Sequence, residues 1–231
     1  MNDYLLFLDT EASGLPKKWN LPYSEINNWP FCVQVAWIIY SFDGTKVKEE
    51  NYYILDNDFK IEASATKVHG ITREFLNLNG TGRREVMTCL CNDIEKYSPL
   101  IVGHFIQFDE HMVGADFYRT GIKNPVLKEN SFCTMIASKH LVQNPAVTFL
   151  RLGDLYETLF HEKMNNQHNA VEDAKATAAC FFELFKRGDI TQESIRLQQQ
   201  QEQRKAENKN KGCAFPLLLI VSIILLITYY L

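Results

Sequence analysis

The chain has 231 residues, 46% apolar and 23% charged, which suits one globular domain plus an appendage. A net charge of −4 argues against the broad basic surface that non-specific duplex binding needs. The six cysteines (Cys32, Cys89, Cys91, Cys133, Cys180 and Cys213) match neither zinc-finger spacing nor a secreted disulfide framework, and nothing before Asp9 reads as a signal peptide, so reduced thiols are expected.

Tyr4–Leu8 is a short apolar run ending at Asp9 and reads as a buried strand. Cys32–Tyr40 is rich in Val, Ile and aromatics; with Asp43-Gly44 and Lys46–Leu55 it predicts a hairpin. Arg84–Tyr97 carries Val86, Leu90, Ile94 and Tyr97 at helical spacing. Leu100–Gly103 and Ser131–Met135 are the fourth and fifth strand candidates. Val171–Arg187 is the strongest helix, with Ala174, Ala178, Phe181, Phe182 and Phe185 along one side and Gly188 as its stop. Strands in a hairpin, then strands alternating with helices, predict an α/β sheet of mixed direction over residues 1–187. Residues 188–211 read as a polar helical linker. Asp189 is its expected N-cap, with Gln192 three residues on. Its thin apolar face (Ile190, Ile195, Leu197) suits a solvated helix; a coiled-coil seam would need a heptad that is not sustained.

Asp9 and Glu11 stand two apart, so a strand would aim both to one face. Adjacent carboxylates repel, and a hard divalent cation between them relieves that. Two solvated acids at an exposed strand end would give the same pattern. Asp109 falls in the first turn of a helix after a strand, where an acid also suits the helix dipole. His168 and Asp173 straddle the start of the long helix and can reach a common point; a lone surface His is the plainer reading there.

Taken together, Asp9-x-Glu11, Phe108-Asp109 and His168-x4-Asp173 resemble the DEDDh exonucleases of the DnaQ-like family, which includes the proofreading epsilon subunit of bacterial DNA polymerase III. Val68-His69-Gly70-Ile71-Thr72 and Asp154-Leu155-Tyr156 are similar to further family segments. The resemblance implies a ribonuclease-H-like mixed five-stranded sheet flanked by helices. It implies two Mg²⁺ or Mn²⁺ ions held by Asp9, Glu11, Asp109 and Asp173, with His168 as general base. Leu15 and His69 stand where members contact the 3′-terminal nucleotide. Two departures bear on substrate handling: Phe105 replaces the usual Asn after the motif's His, and Ala12-Ser13 replaces two threonines. Phe105 is a candidate base-stacking residue if its ring faces the cleft, and a packing residue if it turns inward. The implied activity is removal of nucleoside 5′-monophosphates from single-stranded 3′ ends, with DNA as the leading substrate. The alternatives are RNA trimming and a catalytically weak, membrane-tethered nucleic-acid-binding module. Homodimerisation and a polymerase partner stay open.

The C-terminal segment 212–231 includes Ala214–Leu231, eighteen residues without a charge. As a helix this run spans about 27 Å, near the hydrocarbon thickness of a bilayer. Lys205, Lys209 and Lys211 precede it, and Tyr229 and Tyr230 lie near its end. A single-pass membrane anchor with the nuclease facing the cytoplasm is expected. A buried core helix or a partner-binding segment is the alternative.

Overall fold

The computed structural model describes residues 2–126 and 130–204. Its centre is β1 (Tyr4–Ala12), paired antiparallel with β2 (Cys32–Ser41) on one side. β2 pairs antiparallel with β3 (Lys46–Ile54) through the expected hairpin, whose turn puts Gly44 at φ 90°. After helices α1 (Ala63–His69) and α2 (Arg73–Asn79) come the two-residue strand β4 (Gly80–Thr81) and α3 (Arg83–Tyr97). Strand β5 (Leu100–Gly103) runs into α4 (Ile106–Thr120), and β6 (Ser131–Cys133) into the single turn α5 (Thr134–Ala137). Helices α6 (Leu152–Phe160), α7 (Ala170–Arg187) and α8 (residues 192–204) complete the described chain.

The sheet is mixed, in the order β4-β3-β2-β1-β5-β6, with β5 parallel to β1 and β6 parallel to β5. It has six strands rather than five. The extra one, β4, pairs only through Gly80 and Thr81 and is too short to leave a pattern in sequence. β1 continues four residues beyond Leu8, because its polar end is still paired with β2. β6 stops at Cys133, two residues short of expectation, where α5 begins.

β1 is buried on both faces, which is why its first half reads as an unbroken apolar run. Leu6 and Leu8 pack in the layer of α3 and α4, with Val86, Leu90, Met112 and Phe117. Leu5 and Phe7 pack in the layer of α6 and α7, with Leu155, Phe181 and Leu184.

α8 is not a free solvated helix over its first turns. Ile190 and Ile195 join the α6–α7 core, and Gln198 exchanges hydrogen bonds with the Cys133 backbone at the sheet edge, 3.1 and 3.3 Å. The packing therefore runs past residue 187. Its N-cap is Thr191, whose Oγ1 accepts from Ser194 N. The expected cap, Asp189, turns instead to His140 and Arg187. The segment 212–231 lies outside the described residues; among these, no helix is long and apolar enough to cross a membrane.

Candidate active site

Asp9 and Glu11 project from the polar end of β1, on the α7 side of the sheet established by Leu5 and Phe7. Asp109 enters from the first turn of α4 and is 3% exposed. It is fixed by Thr10, whose N and Oγ1 donate to its Oδ1 at 2.9 and 2.8 Å. Asp173 comes from the first turn of α7, where the His168 N–H donates to its Oδ2 at 3.1 Å. One side-chain atom each of Glu11, His168 and Asp173 lie within 4.8 Å of one another. The sheet and two helix N-termini thus bring all five predicted residues to one place. The exposed His168 ring therefore stands near enough to Glu11 and Asp173 for the three to share one ion.

Two residues absent from the sequence reading set this geometry. Thr10 orients Asp109 from between the two strand acids. Gln34 sits opposite Glu11 on β2, 1% exposed, and its Oε1 accepts from Ala170 N, pinning the start of α7 over the sheet. The signal for Gln34 is a lone amide inside an apolar strand: a buried amide needs partners, so it marks where another element docks. His104 does similar work behind α4, within 3.1 Å of Thr134 Oγ1 and 3.0 Å of the Leu150 carbonyl.

The electrostatics are one-sided. Burial first, then the charges of Asp109, Asp173 and Glu11, hold Asp9 well above the usual carboxylate range. Burial and Asp173 push Glu11 up to about 8. Burial raises Asp173 to about 6 against the His168 amide that favours its ionised form. Burial also raises Asp109 strongly, with the Thr10 hydrogen bonds opposing. Among the described residues, no Lys or Arg forms an ion pair with any of the four. Asp173 Oδ1 is buried with no hydrogen-bond partner. Four carboxylates, their repulsion and an orphaned carboxylate oxygen fit hard divalent cations.

The predicted substrate residues are spread around this cluster. Leu15 is 73% exposed at the mouth. His69 closes α1 with Nδ1 accepting from Ile71 N, so its proton sits on Nε2, which is buried and faces the Ala12 backbone. Both line a cavity of about 330 Å³ that also includes Glu11, Ala12, Val68 and Phe108. Phe105 neither turns fully inward nor stands free. It is 39% exposed, with its ring 5.8 Å from that of Trp19, and its backbone is left-handed at φ 68°. Asn tolerates that conformation far better than a bulky ring does, which gives a backbone reason for the family's usual residue there.

A profile of the exonuclease (RNase T) family matches residues 6–181. No curated protein sequence matches the chain. Among solved structures, E. coli exonuclease I in complex with a dT13 oligonucleotide is similar at TM-score 0.64 and 19% identity, over 80% of this chain and 41% of that one. The zinc-bound E. coli exonuclease I–single-stranded DNA complex is similar at TM-score 0.67 and 17% identity, over 84% and 42%. A product-bound exonuclease I gives 0.63 and 16%, over 80% and 44%. The match thus spans less than half the length of those chains, and at these identities the likeness is one of fold. With a mixed, ribonuclease-H-like sheet and a family profile covering well over half its length, the chain belongs to the exonuclease family.

Proposed function

We propose that the chain is a metal-dependent 3′→5′ exonuclease that releases nucleoside 5′-monophosphates from single-stranded 3′ ends, DNA being the leading substrate. The observation that carries this reading is the cluster of Asp9, Glu11, Asp109 and Asp173, the second and third buried and the others half-buried, with no protein cation paired to them among the described residues.

These four side chains would hold two Mg²⁺ or Mn²⁺ ions. When bound, such ions lower the pKa of the attacking water and stabilise the departing 3′ oxygen of a phosphodiester. An imidazole nitrogen of His168 accepts the proton of that water, placed for it beside Glu11 and Asp173. His168 reaches this position through a left-handed backbone at φ 64°, strain that a loop tolerates where geometry is demanded of it. The terminal nucleoside occupies the cavity bounded by Ala12, Leu15, Val68 and Phe108, where its apolar faces meet apolar walls. His69, in the wall of that cavity, sets its depth beside Ala12. Residues 212–231 would tether this domain to a membrane with its lysine-flanked side in the cytoplasm, the support being an uncharged run of bilayer length.

Digestion of 5′-labelled DNA and RNA oligonucleotides tests the reading. The expected result is a ladder of products shortened from the 3′ end, faster on DNA, dependent on Mg²⁺ or Mn²⁺ and abolished by chelator. No metal-dependent shortening, or early release of the 5′ label as mononucleotide, overturns it. For the tether, the full chain should stay with membranes through carbonate extraction; recovery in the soluble fraction counts against an anchor.

A further inference from the structure

Between β1 and β2 the chain makes an arm, residues 13–31, that the proposed chemistry leaves unused. It carries Lys17-Lys18-Trp19. The Trp19 ring is 39% exposed and lies 5.8 Å from Phe105, 6.3 Å from Phe108 and 5.8 Å from His111. Phe108 also lines the cavity beside Glu11, and the next residue is Asp109. Aromatic surface therefore runs outward from the acids: Phe108 in the cavity wall, then the exposed pair Trp19 and Phe105.

The arm is braced from several directions, which loose loops are not. The buried Asn28 side chain clamps the Lys18 backbone at both N and O, each at 2.9 Å. Trp29 stacks on His111 at 4.5 Å, and the Tyr23 hydroxyl lies 3.1 Å from His111 Nδ1. Tyr23 approaches α4 this closely because residue 114 is Gly; a Cβ there would overlap the Tyr23 hydroxyl. Arg119 holds the Pro30 and Trp29 carbonyls at 2.9 and 2.6 Å. So much bracing holds an exposed indole in place, with two exposed lysines beside it that form no ion pair among the described residues. In a chain of net charge −4, that pairing of cations with aromatic faces suits one occupant, a single strand, whose bases stack and whose phosphates are anionic.

We propose that the arm grips the substrate strand upstream of the scissile bond, with a base stacked on the exposed face of Trp19 and Phe105 and the flanking phosphates met by Lys17 and Lys18. This rests on the nuclease reading and extends it from the terminal nucleotide to the strand behind it. The two rings are tilted by 54°, so the base lies on their outer surface and does not slot between them. A protein partner on the same surface is the competing occupant.

The test is anisotropy of fluorescein-labelled oligothymidylates of two and twelve nucleotides with the full chain in Ca²⁺, alongside Mg²⁺-dependent digestion of the twelve-mer. Trp19→Ala should weaken binding of the twelve-mer roughly five- to a hundred-fold, the worth of one base stack. The penalty should be small for the dinucleotide, which ends at the acids, and Trp19→Phe should restore most of the affinity. Lys17→Gln with Lys18→Gln should flatten the fall of log affinity with log salt by about 0.7 for each phosphate that a lysine no longer neutralises. An unchanged twelve-mer affinity in Trp19→Ala, an equal penalty at both lengths, or no strand binding by the native chain overturns the proposal. Trp19-dependent binding without digestion by the native chain supports the grip and removes the nuclease reading, so the two failures are distinct.

Discussion

Helix α4 carries two buried aspartates seven residues apart, and the fold treats them in opposite ways. Asp116, 0% exposed, is met by Arg119 at 2.6 Å, by Arg83 at 3.4 Å and by the Cys32 N–H at 3.3 Å. Burial pushes its pKa up and the two guanidiniums pull it back. Asp109, 3% exposed, has Thr10 as its donor and carboxyls as its electrostatic neighbours. A buried charge is tolerated when it is paired and hydrogen-bonded. At Asp116 the chain supplies the cations itself and thereby ties the arm's base to α3 and α4. At Asp109 and its three companions no such cation is supplied among the described residues, as the proposed metal site would require.

The comparison breaks most sharply by substitution at each end. Asp9→Ala should abolish hydrolysis while the melting temperature of the metal-free chain stays level or rises, because one of four repelling acids is gone; residual metal-dependent digestion would remove Asp9 from the machinery. His168→Ala should lower the rate about 100- to 10,000-fold. Its Mn²⁺ affinity should fall less than that of Asp173→Ala; an equal fall would make His168 a ligand and not a base. Asp116→Ala should do the reverse of Asp9→Ala, costing about 3–5 kcal/mol of stability because two guanidiniums lose their buried partner. Urea unfolding reads this directly, and a loss below about 1 kcal/mol would mean that water replaces the carboxylate there.

The pH dependence sharpens the contrast. A carboxyl whose pKa is higher in the folded chain stabilises fully below its unfolded value, and that contribution is lost as pH rises through the folded value. With Glu11 near 8 and Asp173 near 6, metal-free stability should decline from about pH 4 to pH 8. Asp9→Ala should flatten the slope. A metal-free melting temperature that climbs over this range contradicts the arrangement. The smallest effect belongs to the start of α4. Phe105→Asn should relieve left-handed backbone strain worth about 1 kcal/mol. A lower melting temperature would show that the ring's packing against Trp19 outweighs the strain.

The five candidate residues that the fold brings together are legible in sequence because each lies at a strand end or a helix start within a local pattern. What holds them in place is not. Thr10 and Gln34 are ordinary strand residues until the elements they join, 99 and 136 positions away, are known. The apolar run of β1 points to an end at Leu8 because its polar half looks like a loop; a buried site forces polar residues onto a strand that continues. α1 buries no residue and α2 only Leu76, so neither leaves an apolar stripe to read. The arm, with Pro16, Pro22 and Pro30 and no period, gives no sign of Trp19 meeting Phe105 far along the chain.

The most direct measurement is thermal unfolding at pH 8 with Mn²⁺ titrated against chelator, on the native chain, Asp9→Ala and Asp116→Asn. The four acids as an external-cation site predict a rise of several degrees in the native chain. Asp116→Asn should keep that rise from a lower starting point, and Asp9→Ala should lose most of it. A native chain indifferent to Mn²⁺, or an Asp9→Ala chain stabilised as much as the native one, would contradict it.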